Sequence, residues 1–446
     1  MESTSGLKLD IKIVGAGISG LACAIALRRK GHDITVYERN PELYAYGAGI
    51  QLFPNATRVL REWELESELL KIVHQPEVMS IRRYDTGDIL GEIALNPAAS
   101  VEYGHPQWQI YWPDFQQVLV KAATAIGVVI HLGQPVSAVN QEHGTLDLGD
   151  GMIEHADIII SGDGIRSRLR STIANAESQA FQDSVFRAII PREVMMRDPV
   201  TAELMEGTNS MVWTGPGRAV LAYPVSAGSR YNTLLSYTRP SEAEVGRWNQ
   251  PADAGEAREM LKDFCPTVRK LWSLVDDTAK WKLGDVPKLE SYVSESGKFV
   301  LIGDAAHAIV PHAGQGAAMA VEDAAALGEF LDPATLTDRD QLRARMHAYS
   351  RFRQPRIENI RNMAYGNARF LMMADGAEQQ QRDQMMSMMT SKWKAAVQET
   401  GLDAFKARVE ANSESASINL PDGRMYAYGY DVIGEAKKAM QERMAA

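Results

Sequence analysis

Residues 11–38 constrain the fold more than any other part of the chain. Ile11-Lys12-Ile13-Val14 is a short β-rich run that leads directly into Gly15-Ala16-Gly17-Ile18-Ser19-Gly20. A helical stretch from Leu21 to Lys30 follows, with Gly31 placed to end it. Asp33-Ile34-Thr35-Val36-Tyr37 reads as a second strand, closed by Glu38. Strand, glycine turn, helix, strand and acid together make a βαβ unit. The Gly15-x-Gly17-x-x-Gly20 spacing has a physical reason. A dinucleotide pyrophosphate needs backbone N–H groups and a helix N-terminus aimed at it. Gly15 permits the tight turn, and Gly17 lets the phosphates approach the backbone. Gly20 lets the helix pack on the strand, and Ile18 and Ser19 between the glycines are counted with them as cofactor contacts. Glu38 stands where an acid takes a ribose diol. These residues alone leave NAD and FAD both open.

Two later segments bear on that choice. Ile158-Ile159-Ile160-Ser161-Gly162-Asp163-Gly164 and Val300-Leu301-Ile302-Gly303-Asp304-Ala305-Ala306-His307 are each a hydrophobic strand entering a Gly-Asp turn. Ligands of an open α/β sheet sit at the carboxyl ends of its strands. Three such ends, spread over the chain, suit one long cofactor. Between them the pattern predicts a helix over 114–125, a strand over 128–132 and a hairpin over 146–153 around Gly149-Asp150-Gly151. Alternating strands over 186–237 predict a second, sheet-rich unit. Residues 253–277 read as helical, 314–331 as a small-residue helix, 338–410 as mostly helical and 411–430 as loop-like. The fold class expected is α/β. A discontinuous Rossmann-like FAD-binding domain (1–75, 106–180 and 285–345) carries a β-sheet substrate domain (76–105 and 181–284) and a helical C-terminal region (346–446).

Composition excludes several function classes. A formal charge of −10, with no basic cluster, argues against nucleic acid as a partner. The two cysteines, Cys23 and Cys265, form no ligand spacing, so no metal is expected and a reducing, cytoplasmic setting fits. Met1 to Asp10 lacks the apolar core of a signal peptide, and no run of about 18 apolar residues predicts stable membrane insertion.

From Lys12 to Arg356 the chain resembles the class A flavoprotein monooxygenases, in particular the salicylate-hydroxylase-like branch. Gly15–Gly20 matches their GxGxxG element. Gly162-Asp163-Gly164-Ile165-Arg166-Ser167 matches their DG motif, on the FAD pyrophosphate side and near NAD(P)H, and Gly303-Asp304 their GD motif, whose Asp304 contacts the ribityl chain. Gly47-Ala48-Gly49-Ile50-Gln51 with Pro54-Asn55-Ala56 resembles the segment lining the isoalloxazine, implying Gly49 and Gln51 as contacts. Pro311-His312-Ala313-Gly314-Gln315-Gly316-Ala317 resembles the loop and helix start beside the flavin ring, implying Pro311, Gly314, Gly316 and Ala317. One departure is Trp112, which stands where the family usually places an FAD-contacting Arg; Arg39 is the candidate substitute on the adenosine side.

On the substrate side the resemblance implies Arg187 over the pocket and Tyr223 as a phenol contact, with His312 the candidate acid or base and His307 a structural group in its turn. The run from Met385 to Met389 is expected to be a packed helix face or a dimer contact, which allows a homodimer. Arg351, Arg353 and Arg356 are expected in ion pairs on a helix surface. No second glycine fingerprint and no CxxC occur, so NAD(P)H is expected as a transient donor. The implied reaction uses O2 through a flavin C4a-hydroperoxide to hydroxylate an aromatic, phenolic or polyketide-like molecule. Epoxidation of an indole or alkene, oxidase or dehydrogenase chemistry without oxygen insertion, and a non-enzymatic FAD-binding role are the alternatives.

Overall fold

The structure is a computed structural model that describes residues 6–43, 47–149, 151–238, 245, 247, 250–388 and 421–444. Asp150 of the expected hairpin, Met389 of the methionine run and residues 389–420 lie outside them.

The chain opens with β1 (Asp10–Val14), α1 (Ile18–Arg29) and β2 (Asp33–Glu38). β3 (Gly49–Leu52) and α2 (Pro54–Glu62) follow, then the hairpin β4 (Val78–Arg83) and β5 (Ile89–Ala94) and helix α3 (Ala98–Tyr103). β6 (Trp108–Tyr111) runs into α4 (Trp112–Ala125), and then β7 (Val129–Leu132). A small antiparallel sheet of β8 (Ala138–Asn140), β9 (Thr145–Asp147) and β10 (Ile153–His155) precedes β11 (Ile158–Ser161). The long β12 (Gln179–Pro191) leads to β13 (Ser210–Gly215), β14 (Arg218–Val225), β15 (Arg230–Thr238), β16 (Gln250–Ala252) and β17 (Thr278–Asp285). β18 (Phe299–Leu301) returns to the first sheet, and α5 (Gly316–Phe330), α6 (Leu342–Leu371), α7 (Pro421–Tyr428) and α8 (Val432–Met444) follow it.

Two sheets carry the architecture. The first is parallel, in the order β18-β11-β1-β2-β7. Its middle strands are buried on both faces, which is why they read as continuous apolar runs. The second has eight strands, β16-β17-β12-β15-β14-β13-β4-β5, antiparallel except where β13 meets β4. Its register puts Val185, Arg187, Val212, Leu221, Tyr223, Asn232 and Leu234 on one face. The other face, with Phe186, Trp213, Val220 and Leu235, packs on the helices Ala254–Met260 and Pro266–Ser273. That pair replaces the single helical stretch expected over 253–277, because Pro266 starts a second helix.

Two other expectations are corrected. Residues 421–428, expected as loop, form α7. Arg353 and Arg356, expected on a helix surface, are 0% and 2% exposed. Their partners lie on α5, an Ala-rich helix buried along nearly its whole length, in which Glu329 is the one further charged residue. Arg353 Nε donates to Asp323 Oδ1 at 2.8 Å and Nη1 to Glu322 Oε2 at 2.9 Å. Arg356 Nη2 donates to Glu322 Oε1 at 2.7 Å. Met386 of the methionine run packs against Ile81 and Val212, while Met388 is exposed. No helix among the described residues is long and apolar enough to cross a membrane.

Burial alone would raise the Asp323 carboxyl, but His307 and Arg353 hold it down at about 2. A depressed carboxyl stabilises the fold above its unfolded value, and that contribution fades as pH falls from about 4 towards 2. Removing one partner of a buried pair leaves the other charge uncompensated. Arg353→Ala is therefore expected to cost about 3–5 kcal/mol, read as a lower urea midpoint. A shift of under about 1 kcal/mol, the range of exposed pairs, would contradict this reading.

Candidate active site

Three turns converge at the carboxyl end of the parallel sheet. β1, β11 and β18 are neighbours there, so Gly15, Gly162 and Gly303 emerge side by side. They touch at the start of α1. A side-chain carbon on Gly20 would lie 1.9 Å from the Gly15 carbonyl oxygen, one on Gly15 2.6 Å from that of Gly162, and one on Gly303 2.8 Å from Ser19 Cβ. By contrast, carbons added at Gly17, Gly164 and Gly316 would meet nothing within 4 Å. The packed glycines build the turn, and the open ones face free space. Glu38 closes the second strand, accepting from Ala16 N at 2.9 Å, and Arg39 beside it is exposed. Asp163 accepts from Ser161 Oγ at 2.7 Å.

The turn after β18 is held from below. Asp323 Oδ2 accepts from Gly303 N at 2.9 Å and lies 2.6 Å from His307 Nε2, so His307 has the structural place expected of it. Asp304 faces the cleft. The protein around it raises its carboxyl above the usual carboxylate range, against the pull of His307 and Arg170.

A cavity of about 530 Å³ spans the space between these turns and the large sheet. Gly49, Gln51, Asp304, Pro311, His312, Gly314, Gly316 and Ala317 line one side of it. Ile81, Val212, Leu221, Tyr223, Leu234 and Trp281 line the other. The stretch from Pro311 to Ala317 turns sharply because Gly314 has φ +64° and sits 2.8 Å, at its would-be Cβ, from the Phe53 ring. Gln51 accepts from Gln107 Nε2 at 3.3 Å. α1 and α5 both begin at the cleft without a side-chain cap, leaving their first N–H groups for a ligand.

Tyr223 lies in the cavity wall, 1% exposed, and burial pushes its phenol well up. Arg187 does not line the cavity. It sits behind the wall, 8% exposed, and donates to the Gly47 carbonyl. Gly49 N donates to Asn232 Oδ1 at 2.8 Å. Arg187 and Asn232 thus fasten the Gly47–Gln51 segment to the sheet. Trp112 stands at the start of α4, its backbone N–H donating to the Ala48 carbonyl at 3.0 Å.

The model of an FAD binding domain matches residues 8–364. The chain belongs to the class A FAD-dependent monooxygenases. It is 29% identical to the FAD-dependent monooxygenase OpS4 of Beauveria bassiana, over 92% of this chain and 98% of that one. It is 30% identical to a 3-amino-4-hydroxybenzoate 2-monooxygenase of Streptomyces cremeus, over 85% of this chain and 91% of the other. Two solved structures share the fold. CtdE in complex with FAD and a substrate superposes with a TM-score of 0.78 at 20% identity, covering 98% of this chain and 100% of that one. A salicylate hydroxylase substrate complex gives 0.74 at 22% identity, covering 98% of each.

The open backbone at Gly17 and Gly316, the two uncapped helix starts and the acids at the strand ends are compatible with the FAD that this family binds. The cavity also holds residues that local pattern does not reveal. Glu102 and Tyr103 of α3 and Arg424 and Tyr428 of α7 line it. Tyr428 stacks on Phe53 at 4.6 Å and meets Tyr103 edge-on at 5.8 Å. α7 is thus a wall of the cavity, and Arg356 secures it by donating to the Ala427 carbonyl at 2.7 Å.

A Cβ at Gly17 meets no protein atom, and its φ of −75° suits any residue. Gly17→Ala is therefore expected to fold normally and still lose bound FAD, at least tenfold by flavin absorbance. Unchanged FAD content would show that the phosphates do not pass there.

Proposed function

We propose that this monooxygenase hydroxylates a small aromatic molecule bearing a ring hydroxyl, with NAD(P)H as electron donor and O2 as oxygen source. The observation that carries the reading is the cavity bounded by Gly314–Ala317 on one side and by Tyr223 on an apolar sheet face on the other. Named relatives that act on hydroxylated rings, such as the 3-amino-4-hydroxybenzoate 2-monooxygenase, support it.

The residues divide the work as follows. Gly15, Gly17, Ile18, Ser19 and Gly20 would hold the pyrophosphate of FAD, Glu38 the ribose with Arg39 beside it, and Asp163 and Asp304 the linking chain. Gly49, Gln51, Pro311, Gly314, Gly316 and Ala317 would form the cradle for the ring. Bound FAD supplies the redox chemistry, passing electrons from NAD(P)H to O2. The N-terminus of α5 turns its positive end towards that cradle, which favours negative charge on a reduced ring. Arg187 acts at one remove, by holding Gly47. Tyr223 stays a neutral O–H donor because burial disfavours its ionised form; it can hydrogen-bond a substrate oxygen and orient the ring. The apolar wall excludes water from the reacting centre.

The test is a panel of phenols, aromatic acids, indoles and alkenes, scored for stimulated NAD(P)H consumption in air. A phenolic member is expected to stimulate. Consumption indifferent to the whole panel would favour an oxidase or dehydrogenase, and stimulation by indoles or alkenes alone would favour epoxidation. On the stimulating compound, Tyr223→Phe is expected to lower kcat/KM by roughly tenfold to a hundredfold, the worth of a hydrogen bond to a charged group, with FAD content unchanged.

A further inference from the structure

The cavity has a second polar end, built by α3 and α7, and β3 runs from one end to the other. At the start of β3, a side-chain carbon on Gly49 would lie 2.8 Å from the Tyr223 ring. Just past its last residue, Phe53 stacks on Tyr428 of α7 at 4.6 Å. The backbone between Gly49 and Phe53 is extended, which sets them about 13 Å apart at the usual rise of a strand. Tyr223 and α7 thus stand at opposite ends of β3.

Arg424 lies one helical turn before Tyr428, so the two share a face of α7. Both line the cavity, and among its described lining residues Arg424 is the one arginine or lysine. Its guanidinium is half-buried, and no carboxylate or carbonyl of the described residues takes it. Nearby arginines differ in this respect. Arg356 is tied to Glu322 and to the Ala427 carbonyl, and Arg58 reaches Asp431 at 3.8 Å. Glu102 of α3 lines the same end of the cavity but forms no ion pair with Arg424. Burial raises the Glu102 carboxyl, against the pull of the Tyr103 hydroxyl and of Arg424.

A guanidinium that faces an apolar cavity without a counter-charge favours an anion there. Its planar fork matches a carboxylate, which it can hold through two parallel N–H bonds. The phosphates of FAD belong with the glycine turns of the parallel sheet, which leaves the α7 end to the substrate. We propose that Arg424 binds a carboxylate of the substrate, so that the enzyme takes hydroxyaromatic acids whose acid group lies at the far end of the molecule from the ring hydroxyl. This deepens the hydroxylase reading and rests on it. The ring hydroxyl meets Tyr223, the carboxylate meets Arg424, and the two contacts together fix which way round the molecule enters. Arg424 determines specificity: it selects what binds and takes no part in the reaction itself.

The test is equilibrium binding to the oxidised holoenzyme, read from the flavin absorbance without NAD(P)H. The probes are 4-hydroxybenzoate, 4-hydroxyphenylacetate and 4-hydroxycinnamate, each compared with its neutral amide. At least one acid is expected to bind more tightly than its amide by roughly tenfold to a hundredfold, the range of a hydrogen bond to a charged group. Arg424→Gln is expected to abolish that preference by weakening the acid alone, at unchanged FAD content. Arg424→Lys keeps the charge without the fork and is expected to retain part of the preference. Equal binding of acids and amides to the wild type, no binding of any acid, or a preference that survives in Arg424→Gln overturns the carboxylate site. Loss of FAD from Arg424→Gln also overturns it, by placing the guanidinium on the cofactor. Stimulation of NAD(P)H consumption by neutral phenols, with no preference for acids, overturns the carboxylate site alone. A preference that depends on Arg424, with no phenol or acid stimulating NAD(P)H consumption, supports the carboxylate site and overturns the hydroxylase reading.

Discussion

Glu322 and Asp323 are adjacent acids, both fully buried, and the borders of the active-site cleft are tied to them. Asp323 holds the Gly303 amide and His307, and so fixes the turn that ends in Asp304. Glu322 accepts from Asn55 Nδ2 at 2.7 Å and thereby fixes α2, which follows the Gly49–Leu52 strand. Arg353 joins both acids to α6, and Arg356 carries the connection on to α7. Two buried carboxylates would cost several kcal/mol each if left alone. Complete pairing offsets that cost without a large surplus. What the network contributes is geometry: the cleft's turns cannot shift independently while the charges stay paired.

On this base the cleft has two unlike sides. One is backbone, made of glycines and helix starts, which suits phosphates and a flat ring. The other is a sheet face of Val, Leu, Ile, Tyr and Trp, which suits an apolar ligand. Arg187 and Asn232 join the two by holding the Gly47–Gln51 segment. The few polar side chains therefore stand out. Tyr223 and His312 are beside the cradle, while Glu102, Tyr103 and Arg424 are near α7. In an environment with little water each of them acts more strongly than it would at a surface.

The parallel sheet and its three strand-end turns were legible because their signals are local. A short, mostly apolar β-rich run followed by glycine specifies both the strand and its exit. The buried arginines were not, because Arg353 and Arg356 have helical surface spacing and their partners lie about thirty residues upstream on another helix. A usable clue was present in α5, where two adjacent acids interrupt an Ala-rich apolar run. Residues 411–430 read as loop, yet 421–428 form a helix whose Tyr428 stacks on Phe53 and whose Ala427 carbonyl is held by Arg356. Arg187 was expected over the pocket. Its strand position is on the cavity-facing side, but only tertiary contact reveals that its guanidinium is taken by Gly47.

The activity proposed for this cleft is insertion of one atom of dioxygen into an aromatic ring. The most direct measurement is a single turnover: enzyme reduced without oxygen, mixed with a phenol that stimulates NAD(P)H consumption and with isotopically labelled dioxygen, and the product weighed. One labelled oxygen atom in the product for each flavin reoxidised is the result expected. Flavin reoxidation with unlabelled substrate recovered and all the label in hydrogen peroxide would contradict it.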